Sequence, residues 1–340
     1  MNKKVFIVAG GTGGHLFPAL ALVQSSKLID FIFLVDERTE KFLKNKKYKY
    51  YVIPASKIQK NIILMLFNSL KIINGFLRSI FLILIKKPDL VVGFGGYTSI
   101  PCLVAAKLLG KKILIHEQNS VMGKTNRILS KISNKVAITY QKTIHANSKS
   151  IYSGIPIRIK SKYSKKNSIK KKIFVIGGSQ GAKVFSIIIP KILNNLDSSL
   201  LKKISIVQQA KKEDHNRLKA YYKKLKINYK LKDFFEDSLS EIRNSDIVIS
   251  RGGSSSLAEI EYFNKFSIII PLPSSADNHQ YYNAIEFKKK NDCIILNEKE
   301  INYIELKKII IKKLNSLKPK KSRSTTKKIK LSLIINDMLN

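Results

Sequence analysis

Four glycines and a histidine stand together near the start of the chain, in the sequence KKVFIVAGGTGGHLFPALAL that begins at residue 3. The apolar run Val5–Val8 before them predicts a buried strand, and Leu16, Leu20 and Val23 after them have helical spacing. Glycines between a strand and a helix let the backbone approach a ligand. They also leave the N–H groups of a helix N-terminus open to an anion, above all a phosphate. The stretch predicts a phosphate site beside His15; the alternative is a tight turn without a ligand.

This glycine loop differs from the common phosphate-binding fingerprints. From Gly11 it runs G-x-G-x-x-L, which lacks the third glycine of the dinucleotide-binding motif, and no Gly-Lys-Ser/Thr follows as in a P-loop. Pro18 is expected in the first turn of the following helix, where a residue without an N–H group is tolerated.

Two pairs of similar segments indicate a duplicated architecture. KKIFVIGGSQGAKVFSIII from residue 171 repeats the plan of the opening stretch, and its apolar run Ile173–Ile176 predicts a second buried strand. DLVVGFGGYTSIP from residue 89 corresponds in the same way to DIVISRGGSSSLAE from residue 246. Two α/β halves are the simplest interpretation, each a doubly wound, Rossmann-like parallel sheet with helices on both faces. Because such sheets bind ligands beyond the carboxyl ends of their strands, we expect a ligand in a central cleft that the two halves face.

Composition shifts predict the domain boundaries. A polar, charged run without periodicity follows Gly154-Ile155-Pro156, and the basic segment NSLKPKKSRSTTKK precedes an apolar-patterned tail that needs a surface to pack on. The prediction is a first domain of residues 1–155 with the tail 322–340, and a second domain of residues 156–321.

Length and composition bound the class of protein. The chain has 340 residues, enough for two domains with their own cores, and its 44% of apolar residues excludes a disordered chain. The two cysteines, Cys102 and Cys293, fit a reduced cytoplasmic setting and are too few for a disulfide scaffold. No signal peptide is expected, because the first residues lead directly into a strand.

The charge is extreme, with 63 Lys and Arg against 23 Asp and Glu and a formal net charge of +40. Such a charge points to nucleic acid or to an anionic membrane. However, Lys is spread along the whole chain beside abundant Ile and Asn, which is typical of a general compositional drift, and Arg is scarce. No nucleic-acid-binding motif is present, so nucleic acid is not expected as a partner.

Seven motifs in sequence order resemble those of the MurG family, bacterial transferases that add N-acetylglucosamine to lipid I. They are GGTGGHLFPALA, GFGGYTSIP, HEQNSVMGKTNR, GIPIR, GGSQGA, RGGSSSLAE and DNHQYYNA. Each motif is weak alone, but the series covers nearly the whole chain. The resemblance implies the two-domain GT-B fold and the formation of lipid II for peptidoglycan synthesis.

The resemblance implies that UDP-N-acetylglucosamine binds the second half. GGSQGA would wrap the pyrophosphate, Glu259 would accept from the ribose hydroxyls, and Gln280 and Asn283 would contact the sugar. A capping box that starts at Ser256 is the alternative for Glu259. The full set expected on the donor is Thr12, Gly13, Gly14, Asn119, Arg158, Gly178, Ser179, Gln180, Gly181, Phe235, Glu259, Gln280 and Asn283. Phe235 would act through its backbone, and Arg158 would either meet a phosphate or tie the domains together.

The resemblance also implies that the first half holds the pyrophosphate of undecaprenyl-linked lipid I. The residues expected there are Thr12, Gly13, Gly14, Tyr97, Thr98, His116 and Glu117. Direct displacement with inversion requires the acceptor hydroxyl to lose a proton, and His15 is the candidate base because imidazole has an ordinary pKa of about 6.5. The alternative for His15 is a hydrogen bond to the diphosphate, and for His116 and Glu117 a structural role.

The chain departs from the family pattern in two places. Ile155 replaces the usual Asn of GNPVR, and Gln208-Gln209-Ala210-Lys211 replaces His-Gln-Thr-Gly, which leaves the shape of the donor loop open. The chain contains no Asp-x-Asp, so we expect activity without a bound metal, and no cofactor.

The segment NIILMLFNSLKIINGFLRSIFLILIKK from residue 61 is the most apolar part of the chain. Asn68, Lys71, Asn74 and Arg78 interrupt it, so two amphipathic helices are expected rather than a span of about 20 residues. The side chains expected to face lipid are Leu64, Phe67, Phe76, Phe81 and Leu82, and the flanking lysines expected to meet anionic headgroups are Lys57, Lys60, Lys71, Lys86 and Lys87. This predicts peripheral binding to the cytoplasmic face of the inner membrane; the alternative is that the segment only covers the sheet.

Two other functions stay open at this point. One is a different UDP-sugar enzyme of the same fold, an epimerase or a glycolipid transferase. The other, from a different class, is a basic nucleic-acid-binding protein, which a gel shift across a salt series would detect.

Overall fold

The computed structural model describes residues 3–26, 29–44, 46–56, 62–159, 170–178, 181–315 and 330–340, without the side chains of residues 62–67. The chain divides into two compact units, Met1–Arg158 with Thr326–Asn340, and Ile159–Thr325. The boundaries predicted from the sequence lie within a few residues of these.

The first unit is built on one parallel sheet. Its strands are β1 (Lys4–Val8), β2 (Asp30–Val35), β3 (Lys49–Val52), β4 (Leu90–Gly93), β5 (Lys112–Glu117), β6 (Lys135–Ile138) and β7 (Ser150–Tyr152), in the order β3-β2-β1-β4-β5-β6-β7. Its first five helices are α1 (Gly13–Ser25), α2 (Glu37–Glu40), α3 (Ile62–Lys86), α4 (Ser99–Leu108) and α5 (Lys124–Leu129).

The second unit repeats this plan. Its strands are β8 (Lys171–Ile176), β9 (Ile204–Gln209), β10 (Asn228–Lys232), β11 (Ile247–Ser250), β12 (Phe266–Ile269) and β13 (Cys293–Ile295), all parallel, in the order β10-β9-β8-β11-β12-β13. Its helices are α6 (Phe185–Asn194), α7 (Ser198–Leu201), α8 (Lys212–Lys224), α9 (Ser238–Arg243), α10 (Ser254–Tyr262), α11 (His279–Lys288) and α12 (Tyr303–Asn315), with a 3-10 turn at Ala276–Asn278. The last helix of the chain, α13 (Leu331–Leu339), follows.

The alternation of side chains along the strands explains the two layers of helices. In β1, Val5 and Ile7 join one buried cluster with α1, whereas Phe6 and Val8 join a second cluster with α3 and α4. A strand with apolar residues on both faces must be covered by other elements on both sides of the sheet. The same holds in the second unit, where Ile173 and Phe174 of β8 belong to opposite clusters. The prediction of two doubly wound α/β domains is confirmed.

Helix α13 packs on the first unit. Its residues Leu331, Ile334 and Ile335 are buried in the same cluster as α1. Lys112 Nζ donates to Met338 O at 2.6 Å, which fixes the helix to the start of β5. The apolar residues of the tail therefore pack on the first unit, as the sequence predicts.

Two local predictions are wrong. The segment after residue 61 forms one helix, α3, and not two. Asn74 and Gly75 lie inside it, and glycine is required at position 75 because a Cβ there would lie 2.1 Å from Pro54 O. Pro18 stands in the sixth position of α1, since this helix already begins at Gly13 in the glycine loop.

The burial along α3 corrects the set of lipid-facing residues. Leu82 is buried in the core and Phe76 is half-buried against it, whereas Phe81 is exposed. The side chains of Leu64 and Phe67, together with Lys57 and Lys60, lie outside the described residues. By length and composition alone, one described helical segment, Asn68–Lys86, is long and apolar enough to cross a membrane.

Candidate active site

In the first unit, the loops after β1 and β4 interlock at the carboxyl edge of the sheet. A Cβ on Gly10 would lie 2.0 Å from Thr98 Oγ1, and a Cβ on Gly96 would lie 2.5 Å from Gly10 O. Gly11 and Gly96 also have positive φ, +87° and +84°, which side chains rarely adopt. The glycines are therefore required by the contact between the two loops. Thr98 is buried, and its Oγ1 has no hydrogen-bond partner within the described residues; Tyr97 beside it is half-buried.

The buried carboxylate of Asp36 fixes the glycine loop. Its Oδ2 accepts from Gly11 N at 2.9 Å and from Arg38 at 2.9 Å, and its Oδ1 accepts from Thr39 Oγ1 at 2.7 Å. Burial alone would raise the pKa of Asp36. The hydrogen bonds from Thr39 and Arg38 and the charge of Arg38 outweigh it, so the pKa lies below the ordinary 3.8. The amide of Gly11 is thus already occupied by an anion of the protein.

The amides open to a ligand belong to the next residues. Thr12 is the N-cap of α1 with extended backbone, and its side chain makes no capping bond. In the described part of the chain, no acceptor faces the amides of Gly13 and Gly14, as is usual for the first turn of a helix. These two N–H groups lie at the positive end of the helix dipole, where the glycine loop predicts an anion site.

His15 occupies the third position of α1 and is half-buried beside the loop after β4. A Cβ on Gly95 would lie 3.1 Å from its Cε1, so a side chain there would push the ring by a few tenths of an ångström, and Gly95 also has a φ of +96°, which side chains rarely adopt. Its Nδ1 lies 3.2 Å from Gln118 Oε1. The structure thus brings the candidate base next to the predicted diphosphate site.

His116, predicted on the acceptor, is completely buried at the end of β5. Its Nε2 lies 2.9 Å from Gly154 O, its Nδ1 lies 3.1 Å from Gln118 Nε2, and its ring packs at 5.2 Å against Phe94. Burial lowers the pKa of His116 to about 4, against the opposing effect of the bond to Gly154. The ring is therefore neutral at physiological pH, and its contacts are internal.

Glu117 is also buried, and its carboxylate organises the segment between β5 and α5. Oε1 accepts from Asn119 N at 2.8 Å and from Asn119 Nδ2 at 3.2 Å. Oε2 accepts from Gly123 N at 3.0 Å and from Asn126 Nδ2 at 2.8 Å. These four bonds are the contacts expected of a structural carboxylate. Asn119, predicted on the donor, is one of its donors.

In the second unit, the glycine loop after β8 is held by Gln209. Gln209 Oε1 accepts from Gly177 N at 3.0 Å, and Gln209 Nε2 donates to Gly178 O at 2.9 Å and to Asp233 O at 3.1 Å. Gly178 and Gly181 have φ of +83° and +69°. Ser179 and Gln180 lie outside the described residues. Sequence reasoning treated Gln209 only as part of a departure from the family pattern, and did not detect this role.

Glu259 lies in the middle of α10, and Ser238 Oγ donates to its Oε2 at 2.9 Å. The capping-box alternative is wrong, because α10 begins at Ser254 with Gly253 as its N-cap, which puts Ser256 inside the helix. Phe235 is buried with its ring at 5.2 Å from Phe174, so its side chain belongs to the core.

Gln280 and Asn283 contact the Gly-Gly turn after β11. Gln280 Oε1 accepts from Gly252 N at 3.2 Å and from Leu272 N at 3.0 Å, and Asn283 Nδ2 donates to Gly252 O at 3.0 Å. A Cβ on Gly252 would lie 2.2 Å from Gln280 O. Both amides therefore shape the turn that precedes α10, the helix that contains Glu259.

Arg158, predicted on the donor, packs its guanidinium at 4.8 Å over the ring of Phe17 in α1. This contact lies within the first unit. Among the described residues, no group of three or more His, Cys, Asp or Glu is arranged to hold a metal ion.

Comparison with known proteins assigns the family. The Glycosyltransferase family 28 N-terminal domain matches residues 5–138, and the Glycosyltransferase family 28 C-terminal domain matches residues 172–337. A UDP-N-acetylglucosamine--N-acetylmuramyl-(pentapeptide) pyrophosphoryl-undecaprenol N-acetylglucosamine transferase of Rickettsia bellii is 38% identical over 311 residues, 86% of each chain. The chain belongs to the MurG family of glycosyltransferases.

Two further MurG relatives agree. A protein of the same name from Wolbachia sp. subsp. Drosophila simulans is 34% identical over 92% of this chain and 90% of its own. The crystal structure of Acinetobacter baumannii MurG has a TM-score of 0.71 and 26% identity, and covers 91% of this chain and 90% of that one. The GT-B fold and the family predicted from the seven motifs are confirmed.

Proposed function

We propose that this chain transfers N-acetylglucosamine from UDP-N-acetylglucosamine to the C4 hydroxyl of the N-acetylmuramyl sugar of lipid I, which gives lipid II. The observation that carries the proposal is His15: an imidazole one residue after two open helix N-terminal amides, on a chain of the MurG family. A diphosphate held by these amides would bring the sugar attached to it next to the base.

The reaction is a single displacement with inversion. The acceptor oxygen forms a bond to C1 of N-acetylglucosamine while the bond from C1 to the UDP oxygen breaks, and UDP leaves with the electron pair. His15 takes the hydroxyl proton and later releases it to water. The amides of the second glycine loop, which Gln209 holds in shape, stabilise the charge of the leaving diphosphate.

On the donor, the Glu259 carboxylate accepts from the ribose hydroxyls. Ser238 Oγ donates to Glu259 Oε2 and thereby orients the carboxylate. Gly178 and Gly181 surround the pyrophosphate together with Ser179 and Gln180, as the resemblance implies. Gln280 and Asn283 act through the Gly252 turn that they hold, in addition to the sugar contacts implied for them.

On the acceptor, Thr12, Gly13 and Gly14 bind the pyrophosphate. The contacts of His116 and Glu117 favour the structural alternative for both, since their polar atoms bond within the unit. We therefore assign them the role of positioning the segment that follows β5.

The outer face of α3 supports attachment to the membrane that carries lipid I. An apolar stripe of side chains, each more than half exposed, follows this face with helical spacing: Leu70, Ile73, Leu77, Phe81, Leu84 and Ile85. Lys71 and Arg78 are exposed beside it. Each such cation adds about 1 kcal/mol near an anionic surface.

The inner face of the same helix favours peripheral binding over a span. Ser79 and Leu82 are buried, and Ser79 Oγ contacts Cys102 Sγ of α4 at 3.3 Å. A helix anchored in this way lies on the unit with only its outer face open, so we propose that the chain binds the cytoplasmic leaflet in the plane of the interface.

Vesicle flotation tests the attachment. Leu77→Gln, Phe81→Gln and Leu84→Gln together should reduce binding to vesicles that contain anionic lipid. The matched control, Ile187→Gln with Ile304→Gln, changes exposed apolar residues of the second unit and should bind as the wild type does. Equal binding of both variants would contradict the assignment to α3.

Transfer of radiolabelled sugar tests the activity itself. The purified chain should transfer label from UDP-N-acetylglucosamine to a lipid I analogue, and not from UDP-glucose. Conversion of the donor without any labelled lipid would instead indicate an epimerase, and would contradict the proposed function.

A further inference from the structure

One hydrogen bond holds the ring of His15. Its Nδ1 lies 3.2 Å from Oε1 of Gln118, a residue 103 positions away in the sequence. The other ring nitrogen, Nε2, has no hydrogen-bond partner among the residues that the structure describes. Gln118 directly follows β5 and is buried, with 3% of its surface exposed, so its amide has a fixed environment.

Two carbonyl groups determine which end of this amide faces His15. Gln118 Nε2 lies 3.0 Å from Phe94 O and 2.9 Å from His116 O. Since a carbonyl oxygen only accepts, the atom that faces both must be the NH₂ group. The atom on the side of His15 is therefore the amide oxygen.

His116 supports the same orientation. Its Nε2 faces Gly154 O at 2.9 Å and must carry a proton to donate to it. Because the ring is neutral, Nδ1 then has a lone pair, which accepts from Gln118 Nε2 at 3.1 Å. The two N–H groups of Gln118 Nε2 thus face three acceptors, so one hydrogen is shared between two of them. Rotation of the amide by 180° would instead place its oxygen against all three.

We infer that Gln118 is a positioning residue that holds His15 in the Nδ1–H tautomer and so leaves the lone pair on Nε2 for the acceptor proton. The amide oxygen accepts only, so its bond to His15 requires a proton on Nδ1, and a neutral ring then has none on Nε2. The inference rests on the proposed role of His15 as the base.

The tautomer matters because the opposite one would turn the lone pair toward Gln118, away from any substrate. During transfer, Nε2 gains the proton of the acceptor hydroxyl while Nδ1–H stays on Gln118 Oε1. The imidazolium then loses the Nε2 proton to water, which restores the starting tautomer. In a protease triad, a histidine in the wrong tautomer costs about 10⁴-fold in kcat.

Nitrogen NMR of the whole protein tests the tautomer without any substrate. Long-range ¹H–¹⁵N spectra distinguish protonated from unprotonated ring nitrogens, and His15→Gln identifies the signals of His15 among the five histidines. At a pH where the ring is neutral, the wild type should have a protonated Nδ1 and an unprotonated Nε2. A wild-type spectrum with the proton on Nε2 overturns the inference, whether or not any variant folds.

The variant Gln118→Met keeps the length of the side chain and removes the amide. We expect the His15 proton to shift toward Nε2 and kcat to fall by at least about 10-fold, with KM for both substrates changed much less. The matched control is Gln24→Met in α1, whose amide donates to Tyr48 Oη at 3.1 Å. This control should change neither the tautomer of His15 nor kcat. An unchanged tautomer in a folded Gln118→Met protein overturns the inference. A wild type with the expected tautomer but no sugar transfer contradicts the proposed function instead.

Discussion

Replacing Glu117 by Gln should destabilise the segment between β5 and α5. The carboxylate accepts four hydrogen bonds, two on each oxygen. A glutamine side chain has one acceptor oxygen instead of two, so two of the four donors would face its NH₂ group. A hydrogen bond to a charged group contributes about 1.5–3 kcal/mol, and a neutral amide costs less to bury than a carboxylate, so we expect a net loss of about 2–4 kcal/mol.

Hydrogen exchange measures this loss locally, which is necessary because two units need not unfold together. Amides of residues 116–127 should exchange faster by a factor of about 30 to 10³, since 1.4 kcal/mol corresponds to a factor of 10. The control Glu37→Gln changes an exposed carboxylate of α2 and should leave these amides within about 0.5 kcal/mol of the wild type. If Glu117→Gln exchanges like the wild type but loses sugar transfer, the carboxylate acts on the substrate and the structural role is refuted.

Three further predictions concern single side chains. Gln209→Leu should raise KM for UDP-N-acetylglucosamine about 10-fold in initial-rate assays and leave KM for lipid I unchanged. The variant loses the hydrogen bonds that hold the loop after β8, which should weaken donor binding by about 1.4 kcal/mol. Glu259→Ala should likewise raise KM for the donor alone; a change confined to the acceptor would contradict the assignment of the units. His116, with its pKa lowered from 6.5 to about 4, stabilises the fold above pH 6.5 and loses this contribution as the pH falls toward 4. Unfolding by urea should thus show about 3 kcal/mol of pH dependence in this range that His116→Gln lacks.

The features that could be predicted from the sequence depend on neighbouring residues. A buried strand followed by glycines is a local pattern, so β1 and β8 were placed correctly, and a ligand was predicted at the loop after each. The repeat of that pattern was enough to predict two doubly wound units. The apolar tail was likewise expected to pack on a surface, and it does so as α13.

The features that were missed depend on distant residues. Gln118 contacts His15 across 103 positions, and Gln209 contacts Gly177 across 32, so no local pattern shows either bond. Asn68, Lys71, Asn74 and Arg78 led to the prediction of two helices where the structure has one, α3. These residues interrupt the apolar sequence but not the helix, which packs on distant residues, as in the contact of Ser79 Oγ with Cys102 Sγ of α4.

The rate of a single turnover with His15→Ala tests the central claim most directly. With both substrates saturating, the labelled sugar should reach the lipid I analogue about 10²–10⁴ times more slowly than in the wild type, because only the proton transfer is impaired. Binding of UDP-N-acetylglucosamine, measured in parallel, should be unchanged. A single-turnover rate close to that of the wild type would contradict the assignment of His15 as the base.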